Sequence, residues 1–160
     1  MPTETEPEGV EKRLKHLGYE LPAVPRPAGS YVPAVRAGTL LFTAGQLPFK
    51  DGRLPYTGKV GENVSLEEAK EAARMCALNA LAAIKAEVET LENVHRVAKV
   101  AGYVASASGF NDQPEVINGA SDLLGGLFGD KGLHVRTAVG VAELPLGAPV
   151  EIELTVELAE

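Results

Sequence analysis

The sequence predicts an α+β fold, in which a mixed β-sheet carries two helices packed on one of its faces. Two amphipathic helical patterns interrupt a series of β-branched, alternating segments, in the order strand, strand, short strand, helix, strand, helix, strand, strand. This order lacks the strict βαβαβ alternation of doubly wound folds, and no glycine-rich phosphate-binding loop accompanies it. At 160 residues and 45% hydrophobic content, the chain is long enough for one domain with a proper core.

The N-terminal part is predicted to be an arm, residues 1–28, that leads into a single domain at residues 29–160. The first 15 residues are charged and favour a short helix, because Val10, Leu14 and Leu17 are spaced roughly one turn apart. The proline-rich segment that follows prevents its continuation.

Residues 30–48 are predicted to form a β-hairpin. Two apolar runs flank Arg36-Ala37-Gly38-Thr39, and Gly45 frees the backbone where the second strand ends. Residues 50–53 are typical of a turn, and residues 54–57 are predicted to be a short edge strand.

The first long helix has the clearest signal in the chain. Ser65 and Glu68 form a capping box, and small apolar residues then recur at helical spacing from Leu66 to about Glu87. Cys76 lies within this alanine-rich stripe. We interpret it as a small buried residue and not as a nucleophile, because no histidine is placed to activate it.

The next strand is predicted at residues 94–106, which are β-branched and partly alternating, with His95 exposed near its start. A second helix begins after Asp112, with Pro114 in its first turn, and ends at Gly129.

The last two strands, between Gly132 and Glu157, are predicted to form a hairpin with a tight connection. Their branched apolar residues are expected to face the core, with Arg136 and Glu151 on the opposite face. Antiparallel pairing then places Arg136 opposite Glu157. Arg136 and Glu151 are separated in this arrangement by about six residues, or ~20 Å, along the sheet. Considered alone, the pattern favours a solvated face on which Arg136 is a surface residue in an ion pair with Glu157.

Composition and charge narrow the class of function. The formal net charge is −7 and no basic run occurs, so we expect no nucleic-acid partner. No window approaches the ~18 apolar residues of a membrane span, and the polar N-terminus does not look like a signal peptide, so we expect a cytoplasmic protein without a membrane partner. The single cysteine has no disulfide partner, and the three histidines lack metal-ligand spacing, so we expect no metal site.

The sequence resembles the Rid family of reactive-intermediate deaminases, also called the YjgF-like family, from about Gly29 to the C-terminus. The segments that carry the resemblance are Gly29-Ser30-Tyr31, Ala44-Gly45-Gln46-Leu47-Pro48, Arg136-Thr137-Ala138-Val139, Glu143-Leu144-Pro145 and Val150-Glu151-Ile152-Glu153. Three longer phrases resemble the branch with an N-terminal arm that is often labelled "putative endoribonuclease" or translation-inhibitor-like, and they read GKVGENVS, GFNDQPEVINGASDLL and VRTAVGVAELPLGAPVEIE. The label itself does not indicate an activity.

The resemblance implies a chorismate-mutase-like fold assembled as a homotrimer, with ligand sites in clefts between subunits. It also implies hydrolysis of reactive enamines or imines, such as 2-aminoacrylate and related 2-imino acids, to 2-keto acids and ammonia. We expect no cofactor, because an imine carbon is already electrophilic and requires only water and a proton.

The resemblance also implies the roles of individual residues. Arg136 occupies the position of the family's carboxylate-binding arginine, and its planar fork suits the carboxylate of a 2-imino acid. Glu151 matches the acidic residue that positions or activates water and shuttles a proton. Tyr31 matches an aromatic residue of the same cleft, and Gly45 allows a ligand to approach the backbone closely.

Three positions depart from the family pattern or leave alternatives open. The asparagine that lines the family's cleft corresponds to Asn118 by identity, or to Ser121 in an alignment anchored on the end of the helix. Ala138 replaces a frequent cysteine or threonine and contributes its backbone N–H. Ala44 replaces a serine or threonine, so one hydroxyl that contacts substrate or water is missing. Two alternatives therefore remain, a non-catalytic protein that binds a small carboxylic acid and, disfavoured by the net charge, an endoribonuclease.

Overall fold

The computed structural model describes residues 7–160. Its helices are α1 (Val10–His16), α2 (Leu66–Val88) and α3 (Gln113–Phe128), and its strands are β1 (Ala34–Ala37), β2 (Leu40–Thr43), β3 (Val94–Ala105), β4 (Val135–Val141) and β5 (Val150–Leu158). Short 3-10 turns lie at Leu91–Asn93, Gly129–Gly132 and Pro145–Gly147. None of the helices in the described part of the chain is long and apolar enough to cross a membrane.

The helices α2 and α3 pack together on one face of the sheet, as the apolar patterns predict. The backbone N–H of Glu68 donates to Ser65 Oγ at 3.2 Å, which confirms the predicted cap of α2. The alanine stripe of α2 is buried together with Cys76. Small residues allow a close approach: a Cβ added at Gly119 of α3 would lie 2.0 Å from the carbonyl oxygen of Lys70 in α2.

The sheet has five strands in the order β1-β2-β5-β3-β4 and is mixed, as predicted. The strands β1 and β2 form the predicted hairpin, whose turn uses Gly38 at a φ of 65°. The pairs β2–β5 and β3–β5 are antiparallel, whereas β3–β4 is parallel. The edge strand predicted at residues 54–57 does not form, and this segment is a loop.

The predicted hairpin of β4 with β5 is wrong, because β3 lies between them. At the end of β3, the Ser106 N–H donates to the Val141 carbonyl, and the Ala105 N–H donates to the Pro149 carbonyl. The connection from β4 to β5 therefore passes around the end of β3 and spans two strand spacings, ~10 Å. Alternation and a turn signal identify two strands, but they do not identify the neighbour with which each strand pairs.

The assignment of faces was correct for β5 and inverted for β4. On β5, Val150, Ile152 and alternate residues beyond them lie in the core, and Glu151 faces away from the helices. On β4, Arg136 contacts α3, whereas Val135 and Val139 are 69% and 41% exposed on the open face. Because β4 is an edge strand, the core does not require its apolar residues to face the helices.

The arm is anchored to the rest of the molecule by α1. Val10 and Leu14 are buried in the main hydrophobic core, and Arg13 Nε donates to the Leu127 carbonyl at 2.6 Å. Glu11 forms an ion pair with Lys85 of α2. The predicted helix over the first 15 residues thus corresponds to α1, with residues 1–6 outside the described part of the chain.

Candidate functional site

The predicted site residues lie in two groups on opposite faces of the sheet. The arginine group contains Asn118, Arg136 and Ala138, which lie beside α3 on the helix side. The glutamate group contains Tyr31, Gly45 and Glu151, which line a depression on the open side.

In the arginine group, three neutral acceptors hold the guanidinium of Arg136. Nη1 donates to Asn118 Oδ1 at 2.7 Å and to Ser121 Oγ at 3.1 Å, and Nη2 donates to the Pro114 carbonyl at 3.0 Å. Asn118 and Ser121, the two candidates for the family's cleft-lining asparagine, therefore both contact Arg136, and they lie one turn apart on α3. An arginine has five N–H donors, and these three hydrogen bonds leave donors on Nε and Nη2 without an acceptor among residues 7–160. Nε and Nη2 are adjacent nitrogens, and such a pair suits a bidentate carboxylate.

The charge of Arg136 is not neutralised within residues 7–160, where no carboxylate forms an ion pair with it. The predicted ion pair with Glu157 is wrong, because Glu157 lies opposite Leu40 and Arg96. The cause is again the insertion of β3 between the two strands. A half-buried cation held only by neutral groups is suited to receive an anion.

The orientation of Asn118 is set by its second neighbour. Its Nδ2 donates to Glu115 Oε2 at 3.3 Å, so Oδ1 is directed to Arg136. Glu115 in turn accepts from Lys70 of α2 at 3.0 Å. The orientation of the Asn118 oxygen that accepts from Arg136 thereby depends on the packing of α2 against α3.

Ala138 lies on β4, which is an edge strand of the sheet that residues 7–160 form. The Val141 carbonyl points towards β3, where it accepts from Ser106. Because backbone groups alternate in direction along a strand, the N–H groups of Arg136 and Ala138 point away from β3, to the unpaired side of β4. The backbone N–H predicted as a donor at Ala138 therefore lies on the outer side of β4, two residues beyond Arg136 on the same strand.

His134 was not predicted to belong to the site. Its Nε2 lies 2.9 Å from Ser121 Oγ, and its Nδ1 lies 2.6 Å from the Gly132 carbonyl oxygen. The signal for it was its position two residues before Arg136, which places both side chains on the same side of an extended segment.

The glutamate group is shaped by a bulge after β2. Phe42 lies opposite Thr155, and Gln46 lies opposite Ile152, so four steps on one strand match three on the other. The extra residue brings Gly45 against Glu151, where a Cβ would lie 2.5 Å from the carboxylate oxygen Oε1. The Glu151 side chain can occupy this place only because residue 45 is a glycine. This contact explains the glycine better than backbone freedom at the end of a strand does.

The environment of Glu151 favours its neutral form. The side chain is half-buried, and burial together with the nearby charge of Glu153 raises the pKa of its carboxyl above the ordinary value. Glu153 itself accepts from the Tyr103 hydroxyl at 3.1 Å. A carboxylate whose pKa is raised binds a proton more readily, which suits general base and acid roles.

Tyr31 and Ala44 complete this half of the site. The ring of Tyr31 is 50% exposed beside Phe42, and its hydroxyl accepts from the Ala28 N–H at 3.1 Å. The depression has a volume of about 650 Å³, and the methyl group of Ala44 forms part of its wall next to Glu151.

One chain does not bring the two groups together. Arg136 lies opposite Val100, which lies opposite Leu154, and Glu151 is three residues further along β5. Three residues along a strand and two strand spacings across amount to ~10 Å each, or ~14 Å between the backbones, and this value replaces the ~20 Å predicted from the wrong hairpin. The side chains also project from opposite faces.

Comparison with known proteins identifies the family. The sequence matches, over residues 11–158, the family described as "YjgF/chorismate_mutase-like, putative endoribonuclease". The chain belongs to the YjgF family. The predicted family and its chorismate-mutase-like fold are thereby confirmed.

Individual YjgF relatives cover nearly the whole chain. Protein TCP17 of Trypanosoma cruzi is 43% identical over 150 residues, which are 93% of this chain and 94% of that protein. The crystal structure of Atu1372 from Agrobacterium tumefaciens has a TM-score of 0.88 at 45% identity and covers 94% of this chain and 92% of that one. A "putative endoribonuclease" from Shewanella oneidensis has a TM-score of 0.92 at 32% identity and covers 94% and 100%.

Cys76 lies inside the YjgF core and outside both groups. It is buried, and its Sγ lies 3.6 Å from the Val150 carbonyl oxygen. Burial raises the pKa of the Cys76 thiol well above its ordinary value, which keeps it protonated and unreactive. The interpretation of Cys76 as a small core residue is confirmed. Among residues 7–160 there is also no group of three or more His, Cys, Asp and Glu side chains able to hold a metal ion.

Proposed function

We propose that the protein hydrolyses reactive enamines and imines of the 2-aminoacrylate type to 2-keto acids and ammonia. The observation that carries this proposal is Arg136, a half-buried guanidinium without a carboxylate partner among residues 7–160, with donors on Nε and Nη2 still available. The carboxylate of a 2-imino acid supplies the missing negative charge and accepts two parallel hydrogen bonds.

Glu151 performs the proton transfers in the proposed reaction. An enamine first gains a proton at its terminal carbon and loses one from nitrogen, which gives the imine. Glu151 then accepts a proton from the water that attacks the imine carbon and gives it to the nitrogen, which forms a carbinolamine. The hydroxyl proton of this carbinolamine passes through Glu151 to the nitrogen as the C–N bond breaks, so that ammonia leaves and a 2-keto acid remains. Its raised pKa supports this role, because the same group must accept and release a proton under mild conditions.

The proposed cleft joins the arginine group of one subunit to the glutamate group of the next in a homotrimer. The two groups point to opposite faces within one chain, so a small acid reaches both only across an interface. Two features support such an interface: the unpaired edge of β4, and the exposed apolar residues of the open face, among them Val35, Leu40, Phe42, Val135 and Val139. A head-to-tail interface with threefold symmetry repeats the cleft three times.

Ala44 favours a second candidate function, the binding of a small carboxylic acid without catalysis. A methyl group stands where a hydroxyl would hold water beside Glu151. Binding requires Arg136 but not the activation of water, so the two functions differ in their dependence on Glu151. The endoribonuclease alternative has less support, since the net charge of −7 opposes binding of a polyanion.

The proposed function is tested by measuring keto-acid release from enzymatically generated 2-aminoacrylate. We expect Arg136→Lys to lower kcat/KM by about 100-fold, because an ammonium group keeps the charge but cannot form the bidentate pair. The matched control is Arg53→Lys, at an exposed loop arginine, which should retain turnover. Wild-type turnover in Arg136→Lys would remove Arg136 from the site. Tight binding of pyruvate without any keto-acid release by the wild type would favour the binding function instead.

A further inference from the structure

A chain of hydrogen bonds leads from Gly132 through His134 and Ser121 to Arg136. The Gly132 carbonyl oxygen can only accept, so His134 Nδ1, 2.6 Å away, carries the hydrogen. In the neutral imidazole, Nε2 is then an acceptor, and the Ser121 hydroxyl, 2.9 Å away, donates to it. The oxygen of Ser121 keeps its lone pairs for Arg136 Nη1, at 3.1 Å.

His134 thus decides where the hydrogen of Ser121 points. A serine inside a helix commonly donates its hydroxyl hydrogen to the carbonyl four residues earlier. Here Ser121 donates that hydrogen to His134 Nε2 instead, and its oxygen accepts from the guanidinium of Arg136.

The guanidinium is held from two sides as a result. Asn118, oriented by Glu115, accepts from Nη1 on one side, and Ser121, oriented by His134, accepts from Nη1 on the other. With two acceptors on Nη1 and the Pro114 carbonyl on Nη2, the guanidinium is held in one orientation, and the remaining donors on Nε and Nη2 lie on its free edge.

We propose that His134 is a positioning residue for Arg136, which acts through Ser121 to hold the Nε and Nη2 edge of the guanidinium towards the substrate carboxylate. This inference rests on the proposed function only in that the anion bound is the carboxylate of a small acid. The competing explanation is that His134 merely anchors the turn Gly129–Gly132 through the Gly132 carbonyl.

Two substitutions of His134 separate these explanations. In His134→Gln the terminal amide lies where Nε2 was and supplies an acceptor for Ser121, but the bond to Gly132 is lost. In His134→Asn the amide nitrogen lies where Nδ1 was and keeps the bond to Gly132, but the acceptor for Ser121 is lost. A positioning role predicts that His134→Gln stays closer to the wild type, whereas an anchoring role predicts the reverse order.

The first readout is independent of activity. In nitrogen-15 NMR of the full chain, the two Nη resonances of Arg136 should be resolved in the wild type and in His134→Gln, and averaged by rotation in His134→Asn. The second readout is steady-state kinetics with 2-aminoacrylate: His134→Asn should raise KM about tenfold with a smaller change in kcat, the signature of weakened binding of the carboxylate.

Substitutions of Ser121 guard against a His134 variant that fails to fold. Ser121→Ala should reproduce the averaged resonances and the raised KM, and Ser121→Thr, which keeps the hydroxyl, should restore both towards the wild type. If His134→Asn stays closer to the wild type than His134→Gln in both readouts, or if Ser121→Ala leaves both readouts unchanged, the proposal is overturned. If the wild type releases no keto acid, the proposed function fails, and the NMR comparison alone then decides the role of His134.

Discussion

At the scale of single residues, Glu151 shows how function and stability oppose each other in this protein. Burial first, and the charge of Glu153 second, raise its pKa above the ordinary value of 4.5. The folded chain therefore binds the Glu151 proton more tightly than the unfolded chain does. Its contribution to the free energy of unfolding is most favourable at low pH and is lost as the pH rises through the raised pKa.

We expect Glu151→Gln to abolish turnover without loss of stability. The rate of keto-acid release should fall by about 10² to 10⁴, because no general base remains. The melting temperature at neutral pH should equal or exceed that of the wild type, since an amide avoids the cost of a half-buried charge, and the difference should shrink towards pH ~4.5. Thermal unfolding followed by circular dichroism across this pH range is the measurement.

The control is Glu157→Gln, on the same strand and face but away from the glutamate group. Glu157→Gln should leave turnover unchanged, and its difference in melting temperature from the wild type should not depend on pH. A lower melting temperature for Glu151→Gln than for the wild type at neutral pH would show that the charged carboxylate stabilises the fold.

At the scale of elements, the crossing of α2 and α3 positions the arginine group. Asn118 and Ser121 are presented by α3, and Gly119 between them lies directly against the backbone of α2. A Cβ at Gly119 would lie 2.0 Å from the Lys70 carbonyl oxygen, and backbone cannot move aside as a flexible side chain can. The closeness of this contact sets the distance between α3 and α2.

Two glycines of α3 provide a matched pair of substitutions. Gly119→Ala should lower the free energy of unfolding by about 1 to 3 kcal/mol or more, because the helices must separate. Gly125→Ala should raise it by about 0.5 to 1 kcal/mol, because alanine is the better helix former and, apart from the backbone of its own helix, a Cβ at Gly125 meets no atom of residues 7–160 within 4 Å. Denaturant titrations measure both. Equal effects of the two substitutions would contradict the close helix contact.

At the scale of the whole molecule, the proposed trimer can be tested by mixing defective subunits. If each cleft takes Arg136 from one chain and Glu151 from the next, a refolded 1:1 mixture of Arg136→Ala and Glu151→Ala subunits regenerates about a quarter of the clefts intact, since each partner is correct half of the time. Keto-acid release should then reach about one quarter of the wild-type value. Each variant refolded alone is the control. A mixture as inactive as its parents, with subunit exchange verified by mass spectrometry, would reject the shared cleft.

The sequence by itself determined the local features of this protein. The extent of α2 and its cap at Ser65 follow from patterns within a few residues, as do β3 and the burial of Cys76. Arg136 and Glu151 were likewise predicted as site residues from their residue types within segments that resemble the YjgF family. Such signals are readable because helical and strand periodicities depend only on near neighbours.

Only the tertiary structure decided which segments meet. The insertion of β3 between β4 and β5, the side of the sheet on which Arg136 lies, and the bulge that fits Gly45 against Glu151 depend on pairings between distant segments. The bond between His134 and Ser121 likewise joins a strand to a helix. Alternation along a strand fixes which residues share a face, but the neighbouring strand and the packed helix determine what that face contacts.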